Sequence, residues 1–302
     1  MKILITGSTG LVGTALVSAL ARGGHTVRRL LRPQSAVLGG SNEGCDVVWN
    51  PATGEWGGAG VGADALVNLA GASIAGGRWT KARKELLRTS RIDTTRALVG
   101  ALAKMNARPR VLVSASAIGI YGDRGDEWLT EASKPGTDFL ACLAREWEAQ
   151  ALQAETLGIR VVLARFGIIL AQHGGALAKM LLPFKLGVGG RLGSGRQWMS
   201  WIALEDVVTI IRFAIENGAV RGAINVVAPQ PVPNAEFTKA LAKALDRRAL
   251  LPAPLFALRL ALGEMADALL LSSQRVAAQK LQQLGYQFRF SELPSALEAV
   301  LL

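Results

Sequence analysis

The chain has 302 residues, half of them hydrophobic, with 34 basic against 23 acidic side chains and a formal charge of +11. That length provides for one large α/β unit, or for a nucleotide domain with a smaller appended one. The arginines are spread without a long basic block, so no nucleic-acid partner is expected. The apolar stretch Ala249 to Leu262 is broken by Pro252, Pro254 and Arg259, so no membrane partner is expected either.

Ile3 to Ile5 is too short an apolar run for a signal-peptide core, and the expected location is the cytoplasm. Lys2 to Thr6 reads as a strand that ends in glycines. Leu11 to Arg22 reads as a helix, with Leu11, Ala15, Leu16 and Leu20 at helical spacing, and Thr26 to Arg32 as a second strand. This βαβ unit predicts parallel strands and a right-handed crossover. Residues 36–62 are Gly-rich and irregular, with a short strand at Asp46 to Trp49. Ala65 to Ala70 is a buried strand, Arg78 to Lys104 a long helix, Arg110 to Ser114 a strand, Phe139 to Glu155 a helix and Arg160 to Phe166 a strand. Such alternation predicts an α/β fold with a Rossmann-type, doubly wound parallel sheet.

Beyond about residue 170 the pattern changes. Gly-rich turns at 187–195 precede a strand near Trp201, a helix at Leu204 to Glu216, a strand at Ala223 to Val227 and a mostly helical tail with a last helix from Leu293. The expected division is a dinucleotide domain over 1–170, with parts of 200–228 returning to its sheet, and a smaller, mostly helical substrate-side domain over 171–302. The two cysteines, Cys45 and Cys142, belong to no CxxC or Cys/His cluster, and no metal is expected. A monomer or homodimer acting on a small-molecule substrate is the expected form.

Residues 6–13 read Thr-Gly-Ser-Thr-Gly-Leu-Val-Gly, between a predicted strand and a predicted helix. Gly7 permits the tight turn, Gly10 lets the backbone approach a diphosphate, and Gly13 lets helix and strand pack closely. The amides of Ser8, Thr9, Leu11 and Val12 complete the expected cradle. At the end of the second strand an acidic residue would bond the ribose of NAD; Arg32 stands there instead, which suits a 2′-phosphate and predicts NADP(H) as cofactor. Asn68-Leu69-Ala70-Gly71 follows a strand with small residues, so Leu69, Ala70 and Gly71 are expected against the cofactor.

These motifs, with Ser114 to Gly122 and Gly193-Ser194-Gly195 leading to Trp201 to Val207, resemble the extended short-chain dehydrogenase/reductase superfamily. Arg78-Trp79, Ser90-Arg91-Ile92, Asp138 to Ala141 and the tail from Pro252 through Tyr286 resemble, more narrowly, its atypical "epimerase family" branch with a C-terminal domain of unknown function. The resemblance covers essentially the whole chain. It implies a Rossmann fold, NADP(H) binding and a nominal sugar-nucleotide epimerase or reductase activity. It also implies a Ser–Tyr–Lys catalytic set, with Tyr and Lys four apart on one helix. At those two positions this chain has Phe139 and Leu143, which carry neither proton nor charge. The superfamily's helix asparagine is replaced near Arg91.

Ser116 remains as the candidate serine, and Tyr121 is a candidate acid/base, with packing as its other role. Glu131, Asp123 and Arg124 are polar candidates for which an ordinary solvated loop or turn is the favoured explanation. Arg78 is placed to meet a phosphate or carboxylate, and Gly167 and Ile168 resemble the turn that contacts the nicotinamide. His25 is expected to be structural and His173 to lie in a Gly-rich loop. Two functions follow: an NADP(H)-dependent oxidoreductase or epimerase-like enzyme, or an NADP(H)-binding sensor without catalysis.

Overall fold

The computed structural model describes residues 1–33, 46–56, 62–249 and 252–301. Cys45 and most of the Gly-rich stretch that follows the second strand lie outside them. One eight-stranded sheet organises the molecule. In chain order its strands are β1 (Lys2–Thr6), β2 (Thr26–Leu31), β3 (Asp46–Asn50), β4 (Glu55–Trp56), β5 (Ala65–Asn68), β6 (Val111–Ala117), β7 (Arg160–Phe166) and β8 (Gly222–Val226). They lie side by side as β8-β7-β6-β5-β1-β2-β3-β4, seven of them parallel and β4 antiparallel to β3. The expected doubly wound Rossmann-type sheet is present, and the strand order reverses between β1 and β5.

Alternation along each strand explains the two covered faces. Ile3, Ile5, Val67, Val111 and Val113 point to one face, where they meet Leu16 and Leu20 of α1 (Leu11–Arg22). Leu4, Leu66, Leu112, Val161 and Leu163 point to the other and form a second core. The long helix expected over residues 78–104 is two helices, α2 (Lys81–Thr89) and α3 (Ile92–Ala103). Thr80 caps α2 by accepting from Arg83 N (3.1 Å), so the helix begins there and not at Arg78. At the break, the loop after β5 competes for the chain: Ser90 Oγ accepts from Ala72 N (3.1 Å) and Arg91 donates to Ala72 O (2.9 Å). The helix α4 (Phe139–Leu152) starts at Asp138, whose side chain accepts from Ala141 N, and packs beside α3.

The second half adds α5 (Gly175–Lys185), α6 (Leu204–Glu216), α7 (Asn234–Ala244), α8 (Leu255–Leu262) and α9 (Leu293–Leu301). Of these, α6 returns to the main sheet, with Val207, Val208, Ile210 and Ile211 in the α1-side core. Leu177, Leu181, Phe184, Trp201, Phe237, Leu241, Leu293 and Leu297 build a separate core. Among the described residues no helix is long and apolar enough to cross a membrane.

Candidate functional site

The parallel strands end together, and the loops after β1, β5 and β7 form one rim. Gly7 sits at φ +65°, and a Cβ there would collide with the carbonyl of Leu69. The loops after β1 and β5 therefore touch backbone to backbone. A Cβ on Gly13 would collide with Gly7 O and lie 2.7 Å from Ser8 Cα. Gly10 differs. Its conformation is extended, and among the described residues a Cβ there would meet only Gly7 O, at 3.4 Å. Packing within the protein thus accounts for the first and third glycines and leaves the second open.

Three further features of the loop suit an anion. α1 has no side-chain cap and no acidic residue in its first turn. Ser8 Oγ is buried without a hydrogen-bond partner. Thr9 and Gly10 are exposed, with Leu11 and Val12 half-buried behind them. Uncapped amides at the positive end of a helix and an orphaned hydroxyl are a fit for a phosphate group. Leu11 also packs against Gly174 and Gly175 at the start of α5, so the loop after residues 168–170 borders the same cleft.

Arg32 is exposed, one residue beyond β2. Asp46, the acid that begins the neighbouring strand β3, is engaged by Arg29 through two hydrogen bonds of 2.7 and 2.6 Å. Leu69 and Ala70 are half-buried and Gly71 is exposed. Asn68, just before them, is a fully buried hub. It accepts from Thr6 Oγ1 (2.7 Å) and donates to Thr95 Oγ1 (2.9 Å) and Ser114 Oγ (3.3 Å), tying β1, α3 and β6 to the end of β5. Arg78 is exposed and lies against Gly263. Gly167 is required by packing, since a Cβ would lie 2.5 Å from Ser200 O. Its N–H donates to Val226 O and that of Ile168 to Ser200 O (2.8 Å), so both amides serve the fold.

Ser116 and Tyr121 are brought together, but inside the protein: their exposures are 2% and 0%. Ser116 Oγ donates to Glu148 Oε1 (2.6 Å), which Arg165 also binds through Nε (2.8 Å), while Arg165 Nη2 reaches Oε2 (2.8 Å). Arg165 Nη1 donates to the Tyr121 hydroxyl (2.9 Å), which donates in turn to Asn225 Oδ1 (2.6 Å). Glu131 closes the network by accepting from the amides of Asn225 (3.0 Å) and Lys280 (3.4 Å). Burial raises the Tyr121 pKa, against the opposing pull of Arg165. Phe139 and Leu143 lie in an apolar cluster with Leu87, Ile92, Ala115 and Trp147, and Phe139 meets Trp79 edge to face at 5.2 Å.

Two of the other polar candidates, Asp123 and Arg124, are bound into the structure. Asp123 accepts from Ser273 N (3.0 Å), and Arg124 pairs with Glu127. His25 faces Glu216 at 3.7 Å, and His173 is exposed. Trp201 Nε1 donates to Gln230 O, while Trp198 stacks on Arg275 at 4.0 Å. Glu148 is the residue that motif reasoning missed. Ala144, Trp147, Glu148 and Ala151 form the buried stripe of α4, and a carboxylate inside such a stripe demands a cationic partner.

A family model described as the NAD dependent epimerase/dehydratase family matches residues 3–227, and one for a domain of unknown function (DUF1731) matches residues 253–300. The chain belongs to the NAD-dependent epimerase/dehydratase family. Similar members include epimerase family protein Mb2239 of Mycobacterium bovis, 44% identical over 98% of this chain and 96% of that protein. Epimerase family protein YfhF of Bacillus subtilis is 39% identical over 100% and 98%. The crystal structure of human epimerase family protein SDR39U1 (isoform 2) with NADPH superposes with a TM-score of 0.89 at 32% identity, covering 100% of this chain and 99% of that one. The family's fold is thus present from end to end, with an apolar cluster on α4 beside its rim.

Proposed function

We propose that this family member binds NADP(H) and is an oxidoreductase or epimerase-like enzyme for a small carbonyl, alcohol or nucleotide-sugar. One observation carries the reading: packing among the described residues accounts for Gly7 and Gly13 but not for Gly10, which stands exposed at an uncapped helix start, with the buried Ser8 hydroxyl left orphaned nearby in the same loop. The loop from Gly7 to Gly13 would hold the diphosphate, and Leu69, Ala70 and Gly71 would line the dinucleotide. Arg32, with Asp46 already held by Arg29, favours a 2′-phosphate over a bare ribose. When bound, NADP(H) supplies the hydride chemistry. Ser116 and Tyr121 act in this reading from behind the rim, as parts of the network that fixes the ends of β6, β7 and β8. Arg78, Gly167 and Ile168 border the site, the last two shaping it through backbone path rather than free amides. NADPH bound to the human relative agrees with the choice of cofactor.

A second reading, an NADP(H)-binding sensor without turnover, is favoured by the apolar surroundings of Phe139 and Leu143 and by the complete burial of Tyr121. Calorimetric titration with NADPH and NADH, followed by NADPH oxidation with a panel of carbonyls, tests both. Tight NADPH binding with turnover supports the enzyme, and tight binding without turnover the sensor. Equal affinity for the two dinucleotides removes the role of Arg32, and no binding of either removes the whole reading.

A further inference from the structure

The helix α8 reads Leu-Phe-Ala-Leu-Arg-Leu-Ala-Leu, apolar at every position but Arg259, yet none of its residues is buried. Phe256 and Leu260 are 73% and 77% exposed. On α5 and the turn after it, Leu182, Leu186 and Val188 are exposed as well, at 62%, 68% and 58%. Single exposed leucines are ordinary, but five large apolar side chains on two connected segments mark a surface that something covers.

The two helices are tied together at both ends. At the far end Ala253 N donates to Arg191 O (2.9 Å) and Gly193 N to Ala253 O (3.0 Å). At the near end both meet the loop after β5. Lys179 of α5 donates to Ala75 O, and Gly263, which ends α8, lies against Arg78 three residues further on. Lys84 and Glu264 close the same end at 2.6 Å. The 11 residues of α5 start beside Leu11 of the glycine loop and end about 16 Å away. Lys179, Leu182 and Leu186 share one face of that helix, the face Lys179 turns toward the loop after β5. Among the described residues α5 and α8 are not packed on each other along their lengths. They are the two sides of an apolar trough that leads to the rim.

Its charge has one sign. The chain has no acidic residue between Glu155 and Glu205 and none between Asp246 and Glu264, whereas Lys179, Lys185 and Arg191 lie within the first of these stretches. Glu264 and Asp267, the acids that follow α8, are already paired with Lys84 and Arg259. Neither helix offers a side-chain acceptor for sugar hydroxyls. A second copy related by a twofold axis would set these cations against themselves.

We propose that the trough holds the apolar chain of an anionic amphiphile, so that the substrate class is a chain-bearing acid with a carbonyl or alcohol, and not a nucleotide-sugar. Lys185 and Arg191, at the far end, meet the acid group, and the chain runs between α5 and α8 toward the rim. The proposal rests on the NADP(H) reading above, which puts the reacting end of the substrate at that rim.

Fluorescence titration with cis-parinaric acid, a fluorescent polyene fatty acid, tests it. The wild-type protein should bind the probe saturably. Dodecanoate should displace it, dodecanol should do so less well, and UDP-glucose should not. In F256S/L260S the probe should bind about tenfold or more weakly, since both side chains lose most of their apolar contact with it. The melting temperature and NADPH affinity of this variant should stay at wild-type values. L186S, on the opposite side of the trough, should weaken the probe in the same direction. No saturable binding, displacement by UDP-glucose, or wild-type probe affinity in both variants would overturn the proposal. So would a dimer in sedimentation that dissociates in F256S/L260S, which assigns the face to a second copy. Flotation with phosphatidylglycerol vesicles without saturable probe binding would overturn it in favour of a bilayer surface. Failure of the wild-type protein to bind NADPH marks failure of the NADP(H) reading, whereas normal NADPH binding without probe binding marks failure of the trough alone.

Discussion

Gly10 and Gly13 are three residues apart in one motif yet answer to different constraints. Gly13 is fixed by its own protein: a methyl group there would enter the space of Gly7 O and Ser8 Cα. Gly13→Ala should therefore lower stability by about 2–3 kcal/mol or more in urea denaturation, whatever the ligand. Gly10→Ala meets little in the free protein and should cost at most about 1 kcal/mol, chiefly because alanine is a poor N-cap. Its NADPH affinity, by contrast, should fall steeply in a calorimetric titration. Equal stability losses in the two variants would show that Gly10 is a packing glycine too. The sequence pattern identifies all three glycines but cannot divide them this way, because the division depends on which backbone stands opposite each one.

At the scale of elements, the strands were the most legible part. The apolar runs of β1 and β7 and the helical spacings of α1 and α6 are local signals, and local signals mark them correctly. The break at Ser90–Arg91 was not legible, because both of its partners belong to Ala72, on a distant loop. Nor was the pairing of Glu148 on α4 with Arg165 on β7, which joins elements through space. That pair couples the helix carrying Phe139 and Leu143 to β7, the strand beside the sheet's β8 edge. Glu148→Leu leaves Arg165 buried without a carboxylate and should destabilise by about 3–5 kcal/mol. Glu148→Leu combined with Arg165→Met should recover much of the loss. A single-variant cost below about 1 kcal/mol would mean that water reaches the guanidinium and the pair is not closed.

For the molecule as a whole, the tyrosines give a test in alkali. The sequence contains only two, Tyr121 and Tyr286, and burial raises the pKa of both. A phenol whose folded pKa is raised holds its proton more firmly in the native state. Its contribution is fully present below the ordinary tyrosine value of about 10 and is lost as pH climbs through the folded value. Phenolate absorbance should accordingly show no step near pH 10 in the folded protein, and should appear together with loss of helical circular dichroism. A normal titration preceding unfolding would place at least one hydroxyl in water. The contact of Gly7 with Leu69 has a broader consequence. Two loops that interlock through backbone atoms are rigid before any visitor arrives, so recognition by this rim is of the lock-and-key kind. The backbone of the glycine loop should superpose in the empty protein and in a complex, the uncapped first-turn amides of α1 should exchange quickly until a phosphate covers them, and association should be limited by diffusion and not by loop rearrangement.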